Sequence, residues 1–241
     1  MPETFCALLA AYLLGSFVFP GEWMSQRRHA IRHLALRAAV ITSASCLLLG
    51  TFHWRILLAI LLTLVVMALL RAYALSDSVA PFLLDQCVNL VVLLGLAWHF
   101  ADAVKVGWWS TGVKPDWSRW YFASLSCVSG IVLCVPAGGV LIAKLTKPFT
   151  VEIRDDIAGL THGGKYIGWL ERILVMLLML MGQPNGIGFL IAAKSILRFG
   201  EIKDASQRKV AEYIIIGTFL SFGWALLITL LTQKAIEHWI R

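Results

Sequence analysis

Three ionisable residues stand inside an otherwise apolar stretch, KYIGWLERILVMLLMLMGQPNGIGFLIAAKSILRFGEIKD (165–204): Glu171 and Arg172 in its first arm and Lys194 in its second. Within a membrane span, charged side chains pair with one another or line a solvated path for an ion or polar ligand. Counted back from the turn GQPNG, Glu171 and Arg172 lie at nearly the depth of Lys194 and Arg198, so Glu171 and Lys194 can meet across the hairpin. Arg37, and Asp85 with Asn89 one helical turn later, lie at similar depth in two other apolar segments. Arg37, Asp85, Asn89, Glu171, Arg172, Lys194 and Arg198 thus form a candidate polar cluster. Two readings are open: a ligand-binding vestibule facing the cytoplasm, or an ion-paired structural clasp whose long cations snorkel toward phosphates.

Other constellations carry less chemistry. His29 and His33 share one helix face at the spacing of two metal ligands, but Arg37 continues that face and repels a cation. They are weak metal candidates, and no cofactor is expected. GLTHGGKY (159–166) matches a phosphate-binding G-x-x-x-x-G-K-[ST] loop until Tyr166, where a small hydroxyl would have to reach magnesium. It is read as a flexible helix start. His99 and Asp102 are read as capping a helix end. With no G-x-S-x-G or H-E-x-x-H motif, no catalytic residue is assigned.

The elements that must position these groups follow from composition. Hydrophobic residues make up 59% of the 241, charged residues 15%, and the mean hydropathy is +0.78. A water-soluble domain of this size has no means of burying so much apolar surface. The apolar runs lack the alternation of barrel strands. The expected fold is all-α, a polytopic transmembrane helical bundle forming one integral membrane domain. Candidate spans are 4–19, 32–51, 54–74, 79–101, 120–143, 167–182, 186–199 and 211–232, about eight in all, with six or seven if short segments are re-entrant. MPETFCALLAAYLLGSFVFPGEW lacks a basic start and an A-x-A site, and is read as a retained first helix.

Charge gives an orientation. One set of alternate loops carries Arg27, Arg28, Arg32, Arg71, Lys144, Lys147, Arg154, Lys165, Arg198, Lys203, Arg208 and Lys209. The opposite set carries Lys105, Lys114, Arg119, Lys234 and Arg241. The richer set is expected in the cytoplasm, with both termini outside. The net charge of +7 is thereby attributed to orientation and lipid contact, not nucleic-acid binding. Trp54, Trp108, Trp109, Trp117, Trp120 and Trp239 mark one set of span ends, and Trp23 and Trp169 the other, as an interfacial belt would. Ser126 with Gly130, and Gly217 with Ser221, are spaced for close helix approach, while Pro136 before Gly138 and Gly139 should kink the fifth span. The five cysteines form no CxxC pair.

From about Gly164 to Leu231 the chain carries L-E-R (170–172), A-A-K-S (192–195), R-F (198–199) and A-E-Y-x-x-x-G-T (211–218). In this combination it resembles an uncharacterised bacterial multi-pass membrane-protein family catalogued as a domain of unknown function. LLAAYLLGSFVFPGEWM and APFLLDQCVNLVVLLGLAW are similar to the same family upstream. The resemblance divides the chain into a divergent amino half (1–143), a cytoplasmic connecting segment (144–166) and a family-like hairpin plus final span (167–232). It implies the bacterial inner membrane and no established activity. Tyr12 and Ser16 stand where the family carries His and Asp, and RAYAL (71–75) lacks a comparable pair, which counts against metal or acid–base chemistry.

Three function classes follow. The chain binds or transports a small polar or anionic ligand, or it is a structural or regulatory membrane subunit docking a cytosolic protein through 144–166 and 198–212. A membrane-embedded hydrolase of lipid-linked substrates, with Asp85 or Glu171 as base, is the third. Membrane lipids are expected partners in every case.

Overall fold

The computed structural model describes residues 1–18, 30–73, 78–107, 115–150, 163–199 and 205–241, with 30–33, 71–73, 115–116, 197–199 and 205–208 described as backbone only. Every regular element among them is helical, as the unalternating apolar runs require. In order these are α1 (Pro2–Leu13) running into a π turn (Leu14–Val18), α2 (Ala30–Leu49), α3 (Trp54–Tyr73) and α4 (Val79–His99). Then come α5 (Pro115–Val132), a second π turn (Leu133–Ala137), α6 (Gly138–Thr150), α7 (Gly163–Leu180), α8 (Asn185–Phe199) and α9 (Ala205–Ile240). Each expected apolar segment contains a helix.

The expectation of about eight spans is not met in the same way. Among the described residues three stretches are long and apolar enough to cross a membrane: Val79–His99, Trp117–Thr150 and Lys209–Ile240. The reason is length and charge. The apolar stretches Pro2–Val18, Leu34–Leu49, Trp54–Leu70 and Asn185–Ile196 are shorter. At about 1.5 Å per residue, none reaches the roughly 30 Å of a hydrocarbon core. Helix α7 is 18 residues long but holds Lys165, Glu171 and Arg172.

The chain forms two compact units, Met1–Val132 with Ala235–Arg241, and Leu133–Lys234. The division falls at the second π turn, where Pro136 interrupts the regular hydrogen-bond ladder. Within the anticipated connecting segment, residues 144–150 belong to α6, and 151–162 lie outside the described residues.

In the N-terminal unit α1 packs against α2, α4 and α5. Its alanines make this possible: Ala7, Ala10 and Ala11 are fully buried, with no side chain beyond Cβ to hold neighbours apart. Gly15, in the first π turn, lies so close to α2 that a Cβ there would collide with Ile41. Thr4 donates to the carbonyl of Ala101 at 2.9 Å, and Tyr121 to that of Leu48 at 2.8 Å, satisfying acceptors beyond or at helix ends. Gly50, at φ 68°, closes α2 in the left-handed conformation. Ser126 accepts from Trp239 Nε1 at 3.0 Å, so this indole also ties the C-terminal end of α9 to α5.

The C-terminal unit is built around Cys134, Val135, Val175, Met176, Ile187, Phe222, Ala225 and Ile228. Helices α7 and α8 form the expected hairpin. Gly182, at φ 70°, donates to Met179 O while Gln183 donates to Leu178 O, a Schellman closure that only a residue tolerating positive φ completes without strain. All five cysteines are free.

Candidate functional site

The polar groups of α7 part company at the hairpin. Lys194 Nζ reaches Glu171 at 2.7 Å from Oε1 and 2.9 Å from Oε2, so the short carboxylate is held by the cation directly across the turn. Both side chains are largely covered, 23% and 16% exposed for Lys194 and Glu171. Arg172, one residue on and rotated by about 100°, faces the interior and is 4% exposed. It donates through Nη1 to Ser221 Oγ at 3.0 Å and through Nη2 to the carbonyl of Val135 at 3.1 Å. Its Nε has no hydrogen-bond partner, and no ion pair joins it to a carboxylate among the described residues.

The acceptors exist because of the second π turn. Leu133 and Val135 both belong to this π turn, a helical segment whose wider ladder departs from the regular α pattern. Leu133 O takes Trp224 Nε1 at 2.9 Å, while Val135 O takes Arg172. Gly138 gives the Trp224 indole its space. Gly139 does the same for two donors: a Cβ there would stand 3.1 Å from Arg172 Nη2 and 3.2 Å from Trp169 Nε1. Gly168, on the N-terminal side of Arg172, would bring a Cβ within 3.3 Å of Nη1. Lys165 Nζ lies 5.0 Å from the centroid of the Trp169 ring, a cation–π contact one turn earlier on α7.

A second polar chain lies within the N-terminal unit. Arg37 of α2 donates to Ser16 Oγ at 3.1 Å, and its guanidinium stands 5.9 Å from the centroid of Tyr12. Tyr12 donates to Gln86 Oε1 at 3.0 Å, and Gln86 Nε2 donates to Asp85 Oδ2 at 2.9 Å. Asn89 Nδ2 donates to the backbone and side chain of Asp85, at 2.7 and 3.2 Å. Asp85 is 1% exposed, and its carboxylate oxygens accept from Gln86 and Asn89.

Six residues of the expected cluster have described side chains. Arg37, Asp85 and Asn89 belong to the N-terminal unit, and Glu171, Arg172 and Lys194 to the other. The side chain of Arg198 lies outside the described residues, as do His29 and the side chain of His33. No group of three metal-ligating side chains occurs among the described residues. His99 packs edge-on against Phe100, and Asp102 pairs with Lys105 at 2.9 Å. The sequence singled out Ser221 for packing, Gly139 for a kink beside Pro136, and Trp169 for the interface. Their convergence on Arg172 had no local signal, because it depends on which faces of α6, α7 and α9 meet.

Comparison of the chain with protein-family models, with curated proteins and with solved structures finds no match in any of the three. The residue roles below come from geometry alone.

Proposed function

We propose that this chain is a multi-pass membrane protein that binds a small polar or anionic ligand at the α7 cluster of its C-terminal unit. One observation carries the reading: Glu171 is committed to Lys194, so the buried Arg172 guanidinium is left with two neutral acceptors and an unspent N–H. A charge in a bilayer span is costly, at roughly 2.5–3.5 kcal/mol on insertion scales, and such residues are retained where they pair or serve a ligand. A bacterial inner membrane and a site facing the cytoplasm complete the proposal.

The test is a thermal-shift screen of purified protein against inorganic phosphate, succinate and short-chain lipid phosphates, repeated with Arg172→Gln. Stabilisation by at least one anion, lost in the variant, is the expected result. Equal shifts in both proteins, or none in either, would overturn the reading.

A structural or regulatory subunit is the second reading, favoured by the two-contact Lys194–Glu171 pair, a satisfied clasp that asks for no ligand. Co-purification of a cytosolic protein dependent on 144–166 and 198–212 would support it. The hydrolase reading draws least support, since Glu171 accepts from Lys194 and Asp85 from Gln86 and Asn89.

A further inference from the structure

Helix α9 serves as a ruler for the α7–α8 hairpin, its neighbour in the C-terminal unit. Between Glu212 and Lys234 α9 carries no charged residue, and at about 1.5 Å per residue this stretch covers about 30 Å, the thickness of a hydrocarbon core. Thr218, Thr229 and Thr232 within it donate to the carbonyls of Ile214, Ala225 and Ile228, one turn back on the same helix. Two hydrogen bonds set α7 in register with this stretch. Gln233 Nε2 donates to Met179 O at 2.9 Å, beside the hairpin tip, and Arg172 donates to Ser221 Oγ. Between these levels Val175 and Met176 share a core with Phe222, Ala225 and Ile228. The residue numbers rise together, so α7 and α9 run parallel. The tip therefore stands where α9 turns polar, at Gln233 and Lys234.

The open end of the hairpin then falls short. From Met179 back to Lys165 α7 covers about 21 Å, and the 15 residues of α8 cover about 22 Å before the sequence turns charged at Glu201. Both arms stop about 9 Å before α9 does. That gap exceeds the reach of a lysine side chain, and the tie at Gln233 keeps the hairpin from sliding toward its own side. The residues at this end are ones that sit among headgroups. Lys165 Nζ lies 5.0 Å from the centroid of the Trp169 ring, and Tyr166, 59% exposed, packs edge-on against the same ring. An apolar stretch shorter than the hydrocarbon core, and unable to shift along its axis, is matched by thinning of the bilayer around it.

We propose that the open end of the α7–α8 hairpin draws the phospholipid headgroups of its own leaflet inward, leaving the bilayer about 9 Å thinner beside α7 and α8 than beside α9. Lys165 and Tyr166 meet the lipid phosphates, and Trp169 lies one turn below them. The thinning also brings the polar surface within about two helical turns of the Glu171–Lys194 pair, whose members are still 16% and 23% exposed. This rests on the multi-pass membrane reading above and is independent of the anion site.

Nitroxide labels on the full chain, reconstituted in phosphatidylcholine vesicles, test it by electron paramagnetic resonance. The label sites are Ile167→Cys, Ile196→Cys and Phe219→Cys, exposed at 49%, 72% and 64%, each alone in a cysteine-free background. The relaxants are a lipid carrying nickel on its headgroup, a soluble nickel chelate, and oxygen. In a flat bilayer the label at 219 lies about 3 Å or more nearer the headgroups than those at 167 and 196, because it stands farther from the level of the tip. Thinning reverses that order, and relaxation by the nickel lipid should be about threefold stronger at 167 and 196 than at 219. Thermal unfolding identifies any variant that fails to fold, and either hairpin position alone suffices for the comparison. Strongest relaxation at 219, or equal relaxation at all three sites, would overturn the proposal. Relaxation at 167 and 196 by the soluble chelate but not by the nickel lipid would also overturn it, in favour of a water-filled vestibule, and leave the anion reading standing. Full access of the chelate to all three sites, 219 included, would remove the membrane reading together with the proposal.

Discussion

At the residue scale the Glu171–Lys194 pair sets the electrostatics of α7. Each partner is more than three-quarters covered, so removing either strands a charge with few waters to replace its partner. Glu171→Leu and Lys194→Leu should each cost about 1–3 kcal/mol, the range for an unsatisfied buried hydrogen-bonding group. The double change should cost less than the sum, because it removes the stranded charge as well. Thermal or denaturant unfolding in a fixed detergent measures all three, and strict additivity would mean that the pair contributes no coupling. Asp102 and Lys105 provide the contrast. Lys105 holds the Asp102 carboxyl below its ordinary range through a hydrogen bond and its charge. Any stability this pair adds is present above the unfolded carboxylate pKa and lost as pH falls through the lower folded one. Both side chains are well exposed, so salt screens the pair. Asp102→Asn should leave the unfolding midpoint unchanged at pH 7 and in 0.5 M salt, whereas the hairpin variants should not.

At the element scale the two π turns place polar groups where a regular helix would hide them. The first brings Gly15 against α2, where the nearest atoms to an added Cβ are Ile41 Cγ1, then the Ile41 nitrogen at 3.1 Å. A side chain can yield, but a backbone nitrogen moves only with its helix. Gly15→Ala should therefore destabilise the N-terminal unit by about 1–3 kcal/mol, the usual range for overpacking. Ile41→Ala should restore only part of this, since it removes Cγ1 and leaves the nitrogen in place. Unfolding of the single and double variants tests this, and full restoration would mean that the backbones have room to separate. The second π turn offers Val135 O to Arg172 and Leu133 O to Trp224, tying α7 and α9 to one irregular turn. Ser221→Ala removes the other acceptor of Arg172 and should cost about 1–3 kcal/mol on the same footing.

At the scale of the whole molecule the proposal concerns the membrane. The basic residues divide unequally between alternate loops, and the orientation proposed from this has positions 28 and 203 in the cytoplasm and 110 and the C-terminus outside. Single cysteines at these positions, in a cysteine-free background, should be labelled by an impermeant maleimide only at 110 and near residue 241 in intact cells. Labelling of 28 and 110 from the same side would contradict the map. The three long apolar stretches give the membrane its strongest support, and the shorter helices make the number of crossings the quantity to measure.

Sequence by itself determined where the helices lie and that the chain holds stretches apolar enough to cross a membrane. It also located the turn at Gly182 and set Glu171 level with Lys194, because apolar runs, turn residues and rise per residue are local properties of the chain. It paired Glu171 with Lys194 but did not show where Arg172 turns. That depends on tertiary packing, which sets Arg172 against Ser221 and Val135 O while Glu171 faces α8. The meeting of Gly139, Trp169 and Arg172 was decided by tertiary structure alone. It brings together residues 30 or more positions apart, across a helix pair whose packing depends on a turn that departs from the regular ladder.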